Sequence, residues 1–113
     1  MNTWKFFGHL GNNATESLSN GNKILNFSVA INRGYYDQAG NWQERTQWVR
    51  VSRFYDLKVD LSKKLEKLKK GVFVIIEGDP SASAYLNNSQ QPSASLDVTA
   101  SAIKAINTPP NNG

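Results

Sequence analysis

Apolar side chains fall on every second position through most of this chain, and on a helical period in one place only. From Ile24 to Ile31, Leu25, Phe27, Val29 and Ile31 alternate with Asn26, Ser28 and Ala30. From Thr46 to Asp56, Val49 and Val51 alternate with Trp48, Arg50, Ser52 and Phe54. Successive side chains of a strand point to opposite faces, so each stretch reads as a strand with one face in a core. Trp4 to Leu10 alternates through Phe6, Gly8 and Leu10, and Leu96 to Ile103 more weakly through Leu96, Val98 and Ala100. Val72 to Gly78, VFVIIEG, is almost wholly apolar and rich in β-branched residues, which predicts a strand buried on both faces.

The single helical pattern lies between the third and fourth of these strands. Leu57, Leu61, Leu65 and Leu68 recur at spacings of four, four and three, with lysines on the opposite side and Gly71 as the expected C-terminal glycine. Two long connections remain. Arg33 to Thr46 has a turn signal at Ala39-Gly40-Asn41, and Asp79 to Ser95 is small and polar. Loops of that length are uncommon in compact domains unless they carry function, so both read as extended hairpin arms. Three strands, one helix and two strands predict an all-β chain: a five-stranded Greek-key barrel of the oligonucleotide-binding (OB) type with one α-helix between strands three and four. An SH3-like barrel or a small sandwich would not expect that helix.

The chain has 113 residues, which suits one domain with a real core. That domain is expected over residues 1–106, with Asn107–Gly113 as a disordered Pro- and Asn-rich tail. There is no cysteine, so disulfides and thiolate metal sites are excluded, and a single histidine, His9, rules out a multi-histidine site. His9 reads as a surface residue. The carboxylates show no metal-binding spacing, and no catalytic constellation is present, so neither an enzyme nor a metal or cofactor is expected. No apolar run approaches the roughly 20 residues that span a bilayer, and the N-terminus lacks the pattern of a secretory signal. A cytoplasmic, nucleoid-associated protein is the expectation.

Net charge is +4, and its placement says more than its sum. Residues 57–70 hold six lysines against two carboxylates, while the remainder is balanced at seven basic and seven acidic residues. All four arginines fall between positions 33 and 53. Strand parity places Arg50 on the same water-facing side as Trp48 and Phe54. Bare rings on such a face cost free energy unless something covers them, and every nucleobase has a π-face that can. Guanidinium both pairs with phosphate and stacks on rings. The first arm adds Arg33, Tyr35, Tyr36, Trp42 and Arg45, and the second adds Tyr85.

Four motifs in order resemble the bacterial-type single-stranded DNA-binding proteins: NxxxFxGxLG at Asn2–Gly11, LNFSVAINR at Leu25–Arg33, TQWVRVSRF at Thr46–Phe54 and LKKGVFVIIEG at Leu68–Gly78. The resemblance covers essentially residues 2–106. It implies an OB-fold homo-oligomer, tetramer or dimer, that coats single-stranded DNA without sequence preference in replication, recombination and repair. It implies stacking on Tyr35, Trp48, Phe54 and Tyr85, with Lys69 and Lys70 as a basic pair and Arg50 as the arginine after the tryptophan; parity and the first arm add Tyr36 and Arg33 to the nucleic-acid-binding set. Three departures stand out. Position 49 is Val where the family commonly has an interface histidine. Pro80–Ala84 replaces a commonly basic arm, and no acidic C-terminal tail follows, so partners recruited through such a tail are not expected. The other function compatible with these residues is an OB-fold protein-interaction module of a primosome or replication assembly.

Overall fold

A computed structural model describes residues 3–80 and 95–106. Eight strands and one helix follow one another as β1 (Trp4–Leu10), β2 (Thr15–Ser19), β3 (Asn22–Asn32), β4 (Tyr35–Tyr36), β5 (Trp42–Gln43), β6 (Thr46–Asp56), α1 (Ser62–Lys67), β7 (Phe73–Pro80) and β8 (Ser95–Ile106). The main sheet runs β1-β7-β8-β6-β3-β2, and a further pairing of β1 with β3 closes five of these strands into a barrel. Neighbouring strands are antiparallel except β6 and β8, which pair in parallel over Trp48–Ser52 and Ser95–Thr99. This is the all-β OB barrel, with its helix between the third and fourth barrel strands.

The parity read from the sequence is the parity of the core. Phe6 and Leu10 from β1, Leu25, Phe27 and Val29 from β3, Val49 and Val51 from β6, Val74 and Ile76 from β7, and Leu96 and Val98 from β8 are all buried together. Leu61 and Leu68, flanking α1, plug one end of the barrel. Fully burying such a side chain stabilises by about 1.5–3 kcal/mol, which is why the alternation dictates the register so strongly.

Four expectations need correction. The helix spans only Ser62–Lys67; Leu57 lies before it in a turn and stays exposed, because Val59 NH bonds to Asp56 CO and the chain turns before it can coil. Gly71 is not the helix cap. It sits four residues past Lys67 with φ +91°, in the turn that leads into β7, and its NH bonds to Leu10 CO. β7 is buried on one face only: Val74 and Ile76 are inside, while Phe73 and Ile75 are half-exposed on the outer surface. The sequence reading also lacked β2, whose five residues are all exposed and carry one apolar side chain. The missed signal was Asn20-Gly21, which joins β2 to β3 with positive φ at both residues (46° and 82°), the geometry that favours Asn-Gly in two-residue hairpins.

Candidate nucleic-acid interface

The outer face of β6 is laid out by its register with β3 and β8. Trp48 lies between Ala30 and Ser95, Arg50 between Ser28 and Asp97, Ser52 between Asn26 and Thr99, and Phe54 beside Ile24. A small neighbour, Ala30, leaves Trp48 standing proud, and Phe54 lies beyond the last residue of β6 that pairs with β8. Trp48 retains 40% exposure and Phe54 52%, high for the two bulkiest side chains on that strand face. The two rings are six residues apart, about 20 Å along a strand, so they cannot clamp one planar group between them. They offer two separate platforms.

From Arg50 to Phe54 runs an open groove of about 500 Å³, with Asn12, Thr15, Asn26, Ser28, Ser52 and Thr99 also in its lining. Its floor is a chain of hydrogen bonds across three strands. Ser52 Oγ donates to Asn26 Oδ1 (3.2 Å), and Asn26 Nδ2 donates to Ser17 Oγ (3.0 Å). The loop after β1 forms one wall. Ser28 NH bonds to Asn12 Oδ1 (2.9 Å) and Gly11 NH to Ser28 CO (2.8 Å), which holds that loop against β3. Trp48 rests directly over Gly11, where any Cβ would intrude into the indole. Glycine here lets the backbone approach the ring closely and seats it edge-down without covering its outer face.

Arg50 reaches across to β8. Its Nε donates to Asp97 Oδ1 at 2.8 Å, and Nη2 lies 3.4 Å from Oδ2. Among the described residues this is the one ion pair. Both partners are solvated, so the pair is labile, worth about 0.2–1 kcal/mol. The sequence placed Arg50 on this face; Asp97, which occupies it, was not foreseen.

The first arm is a short hairpin of β4 and β5. Tyr36 is 71% exposed and meets Trp42 edge-on at 5.0 Å, and Trp42 in turn packs over Gly34 and donates Nε1–H to Glu44 Oε2 (2.6 Å). Tyr35 is also exposed. Arg33 anchors the hairpin's base, with its NH on Arg45 CO (2.7 Å) and its Nη1 donating to Gln47 Oε1 (2.9 Å). Lys69 and Lys70 are exposed in the turn after α1, behind the wall loop, where Lys70 NH bonds to Asn13 Oδ1 (2.9 Å). The structure thus brings Trp48, Arg50 and Phe54 together on one face, holds Tyr35 and Tyr36 on a neighbouring hairpin, and sets the two lysines apart from the groove lining. Tyr85 and its arm lie outside the described residues, as does the tail.

The polar floor was the part of the site that sequence reasoning passed over. Asn26 and Ser28 were assigned to the outward face, but as the uninformative side of a strand. His9 is on the surface with its ring edge against Phe73 at 5.0 Å. Among the described residues no group of three or more His, Cys, Asp or Glu side chains could hold a metal, and no helix is long and apolar enough to cross a membrane.

Known proteins resemble the chain at both levels. The profile of the Single-strand binding protein family matches residues 1–106. A single-stranded DNA-binding protein 1 from Chlorobaculum tepidum is 38% identical, over 69% of this chain and 47% of that protein. A mitochondrial single-stranded DNA-binding protein from Drosophila melanogaster is 33% identical, over 69% of this chain and 52% of that protein. The chain therefore spans about half the length of these relatives. Among solved structures, the single-stranded DNA binding protein from Thermus aquaticus (a deletion mutant) superposes with a TM-score of 0.72 at 19% identity, over 96% of this chain and 52% of that one. Plasmodium falciparum SSB in complex with ssDNA gives 0.70 at 22% identity, over 95% and 96%. At these identities the likeness concerns the fold.

Proposed function

Because the chain belongs to the single-strand binding protein family, matched across residues 1–106, we propose that it coats single-stranded DNA without sequence preference, stacking bases on Trp48 and Phe54 and on Tyr35 and Tyr36 of the adjoining hairpin. Arg50, Arg33, Lys69 and Lys70 meet the phosphates. The observation that carries this reading is the open pair of rings on one face of β6, with a polar groove running from Arg50 to Phe54. A stacked base is worth about 1–3 kcal/mol and is indifferent to base identity. The work it serves is replication, recombination and repair, in the cytoplasm, by binding and without catalysis or cofactor.

A homo-oligomer fits the same reading. Phe7, 63% exposed, leans on Phe73 with ring centroids 5.7 Å apart, and Ile75 pairs with Phe7 across β1 and β7. This apolar outer surface suits a second copy of the chain, and mass measurement in solution decides between two and four subunits.

Tryptophan fluorescence tests the central claim. Adding poly-dT is expected to quench emission, and Trp48→Ala, which leaves Trp4 and Trp42, to abolish most of the change. Emission that ignores poly-dT, or a quench that survives Trp48→Ala intact, refutes stacking on β6. Competition between dT and rU oligomers shows whether the strand must be DNA, since stacking does not sense the 2′-hydroxyl.

A further inference from the structure

The helix end of the barrel carries a second cavity, of about 370 Å³, that the aromatic face does not explain. Beyond Ser52 the parallel pairing of β6 with β8 stops, and Lys64 and Lys67 of α1 with the following Leu68 line the cavity beside that end of β6. Apolar side chains, Leu25, Leu68 and Ile103 among them, make the floor; Arg53, Lys64, Lys67 and Lys104 stand round it with Tyr55. No carboxylate belongs to that lining, and among the described residues none of the four cations makes an ion pair. Like charges gathered round one cavity repel each other, and an anion seated among them relieves the repulsion.

The ring of Tyr55 offers no bare platform. Arg53 lies over it at 5.1 Å from the centroid and Lys64 at 5.7 Å. Burial pushes the Tyr55 hydroxyl above its ordinary pKa of 10.0, with Arg53 pulling the other way, so at neutral pH it is a proton donor. A cavity lined by cations and a protonated tyrosine whose aromatic face is already covered recognises phosphate and not base.

Continuity says whose phosphate. Arg53 and Tyr55 alternate along β6 with Ser52 and Phe54, so the cavity lies on the opposite face of β6 at the same end of the strand as Phe54, and Phe54 stands in sequence between its two lining residues from that strand. We propose that this cavity is a second, backbone-only subsite, which takes the phosphates of the same single strand after it leaves Phe54 and turns round the barrel's end. This rests on the aromatic face binding DNA, and it adds a path for the strand and a division of labour along it.

The test uses the full chain, the double variant Lys64→Gln/Lys67→Gln and two oligo-dT lengths. One is about 8 nucleotides, within the roughly 4–16 that one OB barrel covers, and the other about four times longer. Each lost phosphate contact flattens the salt dependence of binding by about 0.7, so the long oligomer is expected to lose roughly 1.4 in slope and roughly tenfold in affinity at low salt. The short oligomer is expected to bind as before, and thermal unfolding of the variant confirms that it folds. Inorganic pyrophosphate should shift the backbone amide resonances of Arg53, Tyr55, Lys64 and Lys67. The proposal is overturned if the variant binds both oligomers as the unaltered chain does, or loses equally for both. A polyglutamate peptide that shifts those resonances where pyrophosphate and oligo-dT do not also overturns it, in favour of an acidic protein partner. Trp48→Ala run alongside keeps the two readings apart: binding untouched by it sinks stacking on β6, whereas the lysine variant alone judges the cavity.

Discussion

The outer face of β3, β6 and β8 and the helix end of the barrel differ in what they offer an unpaired strand: bare rings on the first, clustered cations on the second. The first has two open rings and one arginine, and that arginine already faces a carboxylate of its own chain. The second has four cations round one cavity and an aromatic ring that is already covered. All of the chain's net charge resides in residues 57–70, next to the second region. Stacking is insensitive to salt, whereas charge neutralisation is strongly screened. A protein that gathers most of its unpaired cations away from its bare rings should therefore show two separable components of binding, one surviving in high salt.

The most direct way to break that division is Trp48→Ala. It is expected to cost about 1–3 kcal/mol of affinity for oligo-dT, roughly five- to 150-fold, with the salt slope unchanged and little loss of stability. A loss confined to low salt would show that the indole serves electrostatics by positioning Arg50, and would merge the two regions. Next in size is Gly11→Ala. The added methyl collides with the Trp48 ring, a movable neighbour, so the indole should be displaced and affinity should fall by about 1 kcal/mol while the barrel stays folded. If affinity holds, the seat over Gly11 does not matter for binding.

Asp97→Asn acts in the opposite direction. Releasing Arg50 from its carboxylate is expected to raise affinity up to about fivefold and to steepen the salt slope by about 0.7, as one guanidinium becomes available to a phosphate. Weaker binding would assign Asp97 to holding Arg50 in its binding position. The smallest effect is at the helix end. Asp60 accepts hydrogen bonds from Ser62, above all from its backbone NH (3.0 Å), and these hold its carboxyl below the ordinary value of 3.8. A carboxyl depressed in the folded state contributes stability that is complete above 3.8 and disappears as pH falls through the lower value. Asp60→Asn should therefore narrow the melting-temperature gap with the unaltered chain as the solution is acidified; a gap constant with pH contradicts it.

How far the sequence reached can be followed residue by residue. Val49 and Val51 against Trp48, Arg50 and Phe54 are separable into inner and outer faces from the sequence alone, because one face has to exclude water. The leucine period placed a helix in the right interval but overran it, since Leu57 matches the spacing and yet sits in a turn. β2 escaped because an edge strand exposed on every residue has no period to detect, and only its Asn-Gly turn betrayed it. The half-exposed Phe73 and Ile75 were read as buried because a continuous apolar run does not say whether its second face meets the same chain.

Alternation between water and core is a property of each strand alone, set by backbone geometry and by the cost of wetting apolar surface, so the barrel strands and the aromatic face of β6 were written in the chain. Which residues meet across strands is decided elsewhere. Arg50 finds Asp97 47 positions away, through a parallel pairing that no local signal encodes. The gap that opens where β6 and β8 part, and the lysines that surround it, likewise exist only once the barrel has closed, because closure alone fixes where strands must diverge.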